Sequence, residues 1–292
     1  MKNYIFFNPL SGDGSCEAKI KAAMSDKAGQ KVYFDVTAQN NLKAVLADIA
    51  LEDKIIICGG DGTLNRFVNS LQGMEIKSGI LYFATGSGND FLNDLGLKPT
   101  NVPILINDYI ADLPVLTVGD KDYRFINGIG FGLDGYACAE CNRIRREKNK
   151  KVSYAAVAFK GIVSAYSPVN AKVTVDGEIY SYKNVWLASC MKGRYFGGGL
   201  RITPNQNRKS ESGEVTVLLA HSLSRLHILT LFPSIFKGTH IKYTKYITAR
   251  TGHEIKVEFD RPVALQIDGE TLSEVMSYSV SVPAAKEALL KG

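Results

Sequence analysis

The sequence predicts an N-terminal α/β domain with an open, doubly wound and mainly parallel sheet, followed by a C-terminal antiparallel β-sandwich domain. Up to about residue 123, short apolar runs alternate with stretches of helical periodicity, which is the sequence form of βαβ units. Beyond that point the pattern changes to the two-residue alternation of antiparallel strands. The chain has 292 residues, 45% of them hydrophobic, so it is long enough for two domains. We therefore expect domains at 1–123 and 124–282.

The first domain is predicted from four buried strands and the helical segments between them. The strands are the apolar runs Tyr4–Phe7, Val32–Val36, Ile55–Cys58 and Ile80–Phe83. The helices carry apolar residues at spacings of three and four, at Ala18–Met24, Leu42–Leu51 and Leu64–Leu71. Strands joined through helices in this way pair in parallel, which predicts the doubly wound sheet.

The second domain is predicted from a hairpin and a series of further strands. Lys172–Val175 and Glu178–Tyr182 flank Asp176–Gly177, a dipeptide typical of a two-residue hairpin turn. Other strand-like runs lie at 185–189, 214–220, 246–250, 254–259, 263–267 and 278–282. One helical insertion is expected at 154–166. The terminal segment 283–292 has the pattern of a short helix, which is compatible with packing on the first domain.

The N-terminus and the cysteines favour a cytoplasmic protein. The first apolar run stops at Asn8–Pro9, so it is too short for a signal peptide or a membrane span. Five cysteines at irregular spacings form no disulfide framework, and Cys138 and Cys141 are a lone CxxC pair without neighbouring histidines. The sequence therefore does not fit the class of disulfide-stapled secreted domains.

The positive charge is concentrated in one segment. The formal net charge is +6, and residues 143–151 carry six basic residues against one acidic residue. Such a run can contact an anionic membrane surface, although a solvated helix end or a mobile loop is the more common explanation. It lacks interleaved aromatic residues and no nucleic-acid-binding motif accompanies it, so we expect no nucleic-acid partner.

The strongest chemical signal is the loop Gly59–Thr63, which joins the strand Ile55–Cys58 to a helical run. Its glycines allow the backbone to approach a ligand, and the start of the following helix favours an anion such as phosphate. Asp61 would repel a nucleotide unless a cation or a proton transfer uses its carboxylate, and Mg²⁺ would satisfy this requirement. The alternative is an ordinary βα turn in which Thr63 is the helix N-cap.

Two further loops follow strands in the same way. Asn8–Gly14 follows the first strand, and Thr85–Phe91 follows the strand Ile80–Phe83. Open α/β sheets bind ligands at the carboxyl ends of their strands. We therefore expect the three loops to converge on one crevice.

Together these loops resemble the catalytic domain of the diacylglycerol kinase family, in particular its soluble bacterial lipid kinases. The resemblance rests on Asn8-Pro9-x-Ser11-Gly12, on Gly59–Thr63 and on Gly86–Phe91. It continues through Phe125–Asp134, Lys151–Tyr154 and Gln266–Glu270, and so covers essentially the whole chain in order.

The resemblance implies an ATP-dependent kinase that moves the γ-phosphate to a lipid hydroxyl, such as that of diacylglycerol, in a cleft between the two domains. Asp61 would act indirectly, through Mg²⁺ bound to ATP, and Glu270 would be the general base. The implied ATP contacts are Asn8, Pro9, Leu10, Ser11, Gly12, Thr37, Gly59, Gly60, Asp61, Gly62, Thr63, Leu64, Asn65, Ser87, Asn89 and Asp90. A lipid substrate also implies transient, peripheral contact with a membrane surface. A homodimer is possible, and the sequence does not decide the oligomeric state.

Two Asp-Gly-Glu strings, at 176–178 and 268–270, are candidates for the base, and spacing alone does not choose between them. The second matches the C-terminal motif of the family, whereas the first sits in a symmetric hairpin. Two positions depart from the family pattern. Ser87 replaces the usual threonine and keeps its hydroxyl. Ser212 stands within 210–214, where relatives carry an acidic pair around a structural metal, so the resemblance does not extend to that metal.

Two alternative functions remain open. NAD kinases share the Gly-Gly-Asp-Gly-Thr loop, but they follow it with an Asn-Glu motif in place of Asn89–Asp90 and lack the segment Gln266–Glu270. A non-catalytic protein that binds nucleotide or lipid would keep the loops without turnover. The presence of both Asp61 and Glu270 favours an enzyme.

Overall fold

The computed structural model describes residues 1–38, 42–74, 76–86, 88–148, 152–210 and 212–283. The chain forms two compact units that divide between Leu113 and Pro114. The change of period at residue 123 falls inside the hairpin Val115–Val118 and Lys121–Arg124, which pairs with a strand of the second unit. The helix predicted at the C-terminus lies, from residue 284 onward, outside the described residues.

The first unit is a five-stranded sheet whose strands are joined mainly through helices. Its elements are, in chain order, β1 (Lys2–Phe7), α1 (Cys16–Ala23), β2 (Gln30–Asp35), α2 (Leu42–Ala47), β3 (Lys54–Gly59), α3 (Asp61–Ser70), β4 (Gly79–Ala84), α4 (Asp90–Asp94), β5 (Ile104–Leu105) and α5 (Asn107–Ile110). The strand order is β2-β1-β3-β4-β5. All pairings are parallel except that of β5.

The order of this sheet brings three carboxyl ends side by side. In the register, Phe7 of β1 faces Cys58 of β3, and Gly59 of β3 faces Ala84 of β4. The central strand β3 is buried along Ile55–Cys58 because both faces of a doubly wound sheet are covered. The loops that follow β1, β3 and β4 therefore begin at one edge of the sheet.

The second unit is built on one large antiparallel sheet with three helices. Its elements are β6 (Val115–Val118), β7 (Lys121–Arg124), β8 (Gly128–Phe131), α6 (Leu133–Lys148), α7 (Tyr154–Lys160), a π-helical turn (Gly161–Ala165), β9 (Val169–Val175), β10 (Glu178–Val185), β11 (Leu187–Met191), β12 (Tyr195–Phe196), β13 (Leu200–Arg201), β14 (Val215–Ala220), α8 (Arg225–Lys237), a 3₁₀ turn (Thr239–Lys242), β15 (Ile247–Gly252), β16 (Glu254–Ile267) and β17 (Glu270–Ser281). The main order is β15-β14-β11-β8-β16-β17-β6-β7. The predicted fold class is confirmed.

The long strand β16 links two parts of this unit. Its first half pairs with β9, and its last residues pair with β8. Its register against β17 shifts between Glu258 and Val263, around Pro262. Irregularities of this kind let one strand bend and take part in two layers. The sequence pattern predicts two separate strands here, at 254–259 and 263–267, and the structure joins them into one.

Two helices of the second unit were not predicted as helices. The basic segment from Arg143 to Lys148 is the exposed end of α6, and residues 149–151 lie outside the described part of the chain. The apolar stretch after Ser224 is α8, with Pro233 inside it. Within the described ranges, no helix combines the length and apolar character needed to cross a membrane.

Candidate functional site

Three loops meet at the carboxyl edge of the sheet in the first unit. The Asn8 amide donates a hydrogen bond to Thr63 Oγ1 at 3.1 Å, which ties the loop after β1 to the start of α3. The Thr85 hydroxyl donates to Ser11 Oγ at 3.1 Å. The Thr85 backbone N–H donates to the Gly59 carbonyl at 2.9 Å. Each loop is thus bonded to at least one of the other two.

Glycines make this convergence possible. Gly12 adopts a φ of +61°, and a Cβ there would lie 2.6 Å from the Thr85 carbonyl oxygen. A Cβ on Gly86 would overlap the Cα of Gly60, and one on Gly59 would lie 2.5 Å from Thr63 Oγ1. A side chain at Gly12 or Gly86 would push two loops apart, and one at Gly59 would displace Thr63. Gly62 has no such neighbour, so the first turn of α3 presents accessible backbone there.

Asp61 lies in the first turn of α3 and reaches the next loop. Its carboxylate accepts hydrogen bonds from the backbone N–H of Asp90 at 2.7 Å and of Phe91 at 3.2 Å. These N–H groups belong to the start of α4, where no carbonyl of the same helix can accept them. Asp61 therefore holds the loop before α4 against the loop before α3.

Some of the remaining predicted nucleotide contacts are buried and others are exposed. Thr63, Leu64 and Asn65 are buried, so only their backbone atoms or a local rearrangement would bring them to a ligand. Leu10 is 80% exposed at the tip of its loop. Thr37 follows β2 at the same edge of the sheet, where its hydroxyl donates to the Asp35 carboxylate at 2.7 Å.

The loop before α4 contains one polar atom with an incomplete set of hydrogen bonds. Asn89 takes up a left-handed conformation with φ of 49°, and its side-chain amide donates to the Gly86 carbonyl at 2.8 Å. Its Oδ1 atom is buried and accepts no hydrogen bond from the described residues. A buried acceptor of this kind favours a donor from a ligand or from water. Ser87, the other predicted contact in this loop, lies outside the described residues.

The second Asp-Gly-Glu string forms a firmly held turn in the second unit. Asp268 and Gly269 have φ of 44° and 99°, and Glu270 opens β17 with an exposed side chain. The Asp268 carboxylate accepts three backbone N–H groups, those of residues 126, 127 and 128, at 2.5, 3.0 and 3.0 Å. The Gly269 carbonyl accepts hydrogen bonds from the side chains of Cys138 and Asn142 on α6, both at 3.1 Å. The position of the Glu270 backbone is thereby fixed from two sides.

Behind this turn lies a buried carboxyl group that the sequence analysis did not single out. Asp134 is 3% exposed and accepts hydrogen bonds from the Tyr154 hydroxyl and, at 3.2 Å, from Ser189 Oγ. Burial raises the pKa of this carboxyl to about 6, although hydrogen bonds from Tyr154, Gln266 and Ser189 lower it. Gln266 also accepts the Gly269 N–H at 2.8 Å, so hydrogen bonds connect Asp134 to the turn before Glu270.

Glycine spacing was the available sequence signal for this buried carboxyl. A Cβ on Gly130 would collide with the Asp134 carboxylate, and one on Gly135 would collide with the Ala264 carbonyl. The pattern Gly130-x-Gly132-x-Asp134-Gly135 therefore lets α6 begin directly against β8 and β16.

The carboxylate of Asp61 is not part of a ready-made metal cage in the described part of the chain. Among the described residues, no group of three or more His, Cys, Asp or Glu side chains forms a metal cage. Mg²⁺ is commonly bound through one or two carboxylates and the substrate phosphates, and a carboxylate can accept about four hydrogen bonds or ligands.

Near Ser212, the carbonyl of Gly213 is bonded by a buried lysine. The side chain of Lys192 is fully buried there, and its ammonium group donates to the Gly213 carbonyl at 3.2 Å. The absence of the family's structural metal near Ser212 stays a prediction.

Comparisons with known proteins identify related sequences over both units. Residues 2–112 match the family model described as the diacylglycerol kinase catalytic domain. Residues 127–289 match the model described as the YegS C-terminal NAD kinase beta sandwich-like domain. A diacylglycerol kinase of Mycobacterium tuberculosis (strain CDC 1551 / Oshkosh) is 30% identical over 300 residues, which cover 97% of this chain and 93% of that protein.

Solved structures with the same fold come from Bacillus anthracis str. Sterne. A crystal structure described as that of a diacylglycerol kinase aligns with a TM-score of 0.65 and 18% identity, over 99% of this chain and 96% of its own. A second structure from the same organism aligns with a TM-score of 0.70 and 21% identity, over 97% of this chain and 92% of its own. At these identities the alignments establish the shared fold of the whole chain.

Proposed function

The chain belongs to the diacylglycerol kinase family, and on this basis we propose that it transfers the γ-phosphate of ATP to the free hydroxyl of a diacylglycerol, with Mg²⁺ bound to the nucleotide. The observation that carries the proposal is the glycine-lined meeting of three loops around Asp61. Glycines, backbone amides and the start of α3 form the kind of surface that phosphates occupy. The match over both units extends the proposal to the whole chain.

The nucleotide would be held by the first unit. Gly59, Gly60 and Gly62 allow the triphosphate to approach the backbone at the start of α3. Asp61 would face the magnesium ion that the phosphates bring, while its two hydrogen bonds to the loop before α4 keep the carboxylate in place. Magnesium would supply neutralisation of the phosphate charge, which phosphoryl transfer needs more than covalent help.

The proton would be removed by the second unit. Glu270 stands at the end of a turn that Asp268 and α6 hold rigidly, so its carboxylate is exposed but its backbone is not free to drift. As general base it would take the proton of the lipid hydroxyl while the oxygen forms its bond to the γ-phosphorus. The bond between that phosphorus and the bridging oxygen breaks in the same step, and ADP leaves with the electrons of that bond.

The substrate class implies peripheral contact with a membrane. A diacylglycerol with long acyl chains resides in the bilayer, so the enzyme must reach the lipid surface at least transiently. The exposed basic residues of α6, among them Arg145 and Arg146, are compatible with an anionic surface.

A pair of matched glutamate variants tests the proposal. Purified protein is incubated with Mg²⁺, radiolabelled ATP and a short-chain diacylglycerol, and labelled lipid is quantified. We expect transfer in the wild type, a loss of at least about a hundredfold in Glu270→Gln, and wild-type turnover in Glu178→Gln. The second variant removes the glutamate of the other Asp-Gly-Glu turn and is the control for general damage. Equal activity of the Glu270→Gln enzyme and the wild type would remove Glu270 from the mechanism.

The same incubation distinguishes the alternative functions. Radiolabel in NADP, from NAD added as the acceptor, with no labelled lipid would identify an NAD kinase. ATP binding by calorimetry without any product would identify a protein that binds nucleotide without turnover.

A further inference from the structure

Most of the exposed large apolar side chains of the second unit lie on two of its helices and the turns that follow them. Seven such side chains are exposed in the described part of this unit. Two of them, Ile179 and Met276, lie on strands. The other five lie on α7, α8 and their following turns: Phe159, Val163, Leu226, Phe236 and Tyr243. We call α7, α8 and these turns the helical face.

The two helices of this face lie side by side. The Arg225 guanidinium at the start of α8 donates to the Ile162 carbonyl of the π-helical turn at 2.6 Å. Phe232 of α8 packs on the cluster that contains Val157 and Ala158 of α7. The exposed apolar side chains of the two helices therefore belong to one surface.

The helix α8 carries large apolar side chains on its outer side as well as on its inner side. Ile228 and Leu231 face inward and line a small apolar cavity of about 40 Å³, which is too small for an acyl chain as it stands. On the outer side, Leu226 is 71% exposed and Phe236 is 47% exposed. The exposed residues of α8 also include His227, Thr230 and Lys237, so its outer side is mixed. Large exposed apolar side chains that cluster within a polar rim are typical of an interaction surface.

The charges around these side chains have one sign. Residues 154–165 and 225–243, which make up the helical face, contain four Lys and Arg residues and no Asp or Glu. At the average of the chain, 29 acidic residues in 292, these 31 residues would contain about three. The neighbouring carboxylate of Glu140 on α6 is bonded by Arg143 at 2.7 Å. Apolar side chains among bases and without acids match the interface of an anionic bilayer.

Resting on the proposed lipid kinase function, we propose that the helical face is the surface by which the protein docks on anionic membranes. Phe159, Val163, Leu226 and Phe236 insert among the lipid headgroups and the first methylene groups. Lys160 and Lys237 extend towards the lipid phosphates, with their aliphatic stems along the apolar layer. The face thus brings the second unit, which carries Glu270, to the surface where diacylglycerol resides.

A tryptophan reporter at position 226 tests the contact directly. The sequence has one tryptophan, Trp186, which is 1% exposed and should not respond to lipid. We expect Leu226→Trp to show a blue-shifted emission when vesicles of phosphatidylcholine with a minority of phosphatidylglycerol are added. Ile179→Trp is the matched control, because Ile179 is 62% exposed on β10 and should show no shift. An unshifted emission at position 226 would overturn the proposal.

Flotation of the same vesicles without nucleotide measures the affinity. The double variant Phe159→Asp, Leu226→Asp should bind at least about tenfold more weakly than the wild type, since two inserted apolar side chains become charged. Ile179→Asp should bind as the wild type does, and circular dichroism should show both variants folded. No vesicle binding by the wild type would also reject the helical face. The helical face would also be rejected if vesicle binding were lost in the α6 variant Arg145→Glu, Arg146→Glu but kept in the variant Phe159→Asp, Leu226→Asp.

Kinase turnover on a water-soluble diacylglycerol separates this proposal from the proposed function. The double variant should keep wild-type turnover on that substrate and lose it on long-chain diacylglycerol in vesicles. Vesicle binding without any kinase activity would support the helical face and reject the kinase function. Kinase activity together with equal vesicle binding by the wild type and the double variant would support the kinase function and reject the helical face as the docking surface.

Discussion

Replacing the buried carboxyl group by an amide, in Asp134→Asn, should remove a pH dependence from the stability of the second unit. Asp134 is surrounded by hydrogen-bond donors, the hydroxyls of Tyr154 and Ser189 among them, yet burial keeps its pKa at about 6 against an ordinary value of 3.8. The protein therefore holds a carboxyl group that is easier to bury protonated than ionised. The amide of the variant keeps the shape and cannot ionise.

The sign and size of the effect follow from the two pKa values. Between about pH 4 and pH 6 the folded state binds more protons at this site than the unfolded state, so stability falls as the pH rises. The contribution is fully present below the unfolded pKa and is lost once the pH has passed the folded pKa. The difference between 3.8 and about 6 corresponds to about 3 kcal/mol, at about 1.4 kcal/mol per pKa unit.

The measurement uses the single tryptophan. Trp186 lies buried at the start of β11, so its fluorescence reports the unfolding of the second unit separately from the first. Urea unfolding of wild type and Asp134→Asn is followed from about pH 4 to pH 8, and the two free energies are subtracted at each pH. The subtraction cancels the titration of all other groups. We expect the variant to gain about 2.5 kcal/mol relative to the wild type across this range, because part of the full difference already lies below pH 4.

Two outcomes would refute this reasoning. Parallel stability curves would mean that Asp134 ionises as it does in the unfolded chain. A relative loss of the variant as the pH rises would mean that the ionised form is favoured by its donors. Ser189→Ala is the companion variant, because it deletes a donor that lowers the pKa of Asp134 and so should extend the fall in stability to higher pH.

Three further variants test other contacts. Gly86→Ala adds a Cβ against the Cα of Gly60 and should weaken ATP binding, measured by calorimetry, by at least about tenfold. Gly79→Ala is the control, because its Cβ would meet only Leu105 at 3.5 Å, and it should bind ATP as the wild type does. Equal affinities of the two variants would contradict the convergence of the loops. Lys192→Met leaves the Gly213 carbonyl without its ammonium donor and should destabilise the second unit by about 1–3 kcal/mol. Because we expect no cation at that carbonyl, the melting temperature of the nucleotide-free wild type should be equal in Mg²⁺ and in EDTA; a rise with Mg²⁺ would contradict this.

The strands β1, β3 and β4 were predictable from sequence to within a few residues because each carries a run of mostly buried apolar residues. A run of four apolar residues such as Ile55–Cys58, placed between two helical segments, is readily predicted as a buried strand. The helix α6 was missed for a specific reason. Its buried positions include small residues such as Gly135 and Ala137, which pack closely against strands and give a weak apolar period. Small residues that are buried because a helix packs closely on a strand add little to the periodic hydrophobic pattern from which helices are predicted.

The helix α8 was missed because its composition contradicts the rule used to find helices. It has apolar residues on two sides and contains Pro233, so it shows neither a clear stripe nor an uninterrupted run. The structure explains this as an inner side over a cavity and an outer side at the surface. The apolar residues on the outer side, which obscured the helical pattern, are also the residues that indicate a second apolar environment.

The roles of aspartates were the least predictable part of the site, because a loop aspartate can serve chemistry or backbone hydrogen bonds. Asp268 accepts three backbone N–H groups of the segment before β8, and Asp176 accepts those of His253 and Glu254 at 2.9 and 2.8 Å. Asp61 does the same for α4. Sequence reasoning assigned only Asp61 to magnesium, although all three share a structural task.

Loss of kinase activity in Asp61→Asn would therefore not by itself assign Asp61 to the chemistry. The asparagine keeps one acceptor oxygen and should cost about 1 kcal/mol of stability through the weakened start of α4. If Asp61 acts only by holding the loop, ATP affinity and turnover should fall together, and both should be independent of the divalent ion. If it also faces the metal, turnover should fall much further than ATP affinity measured without Mg²⁺. A common, ion-independent loss would remove magnesium from the role proposed for Asp61.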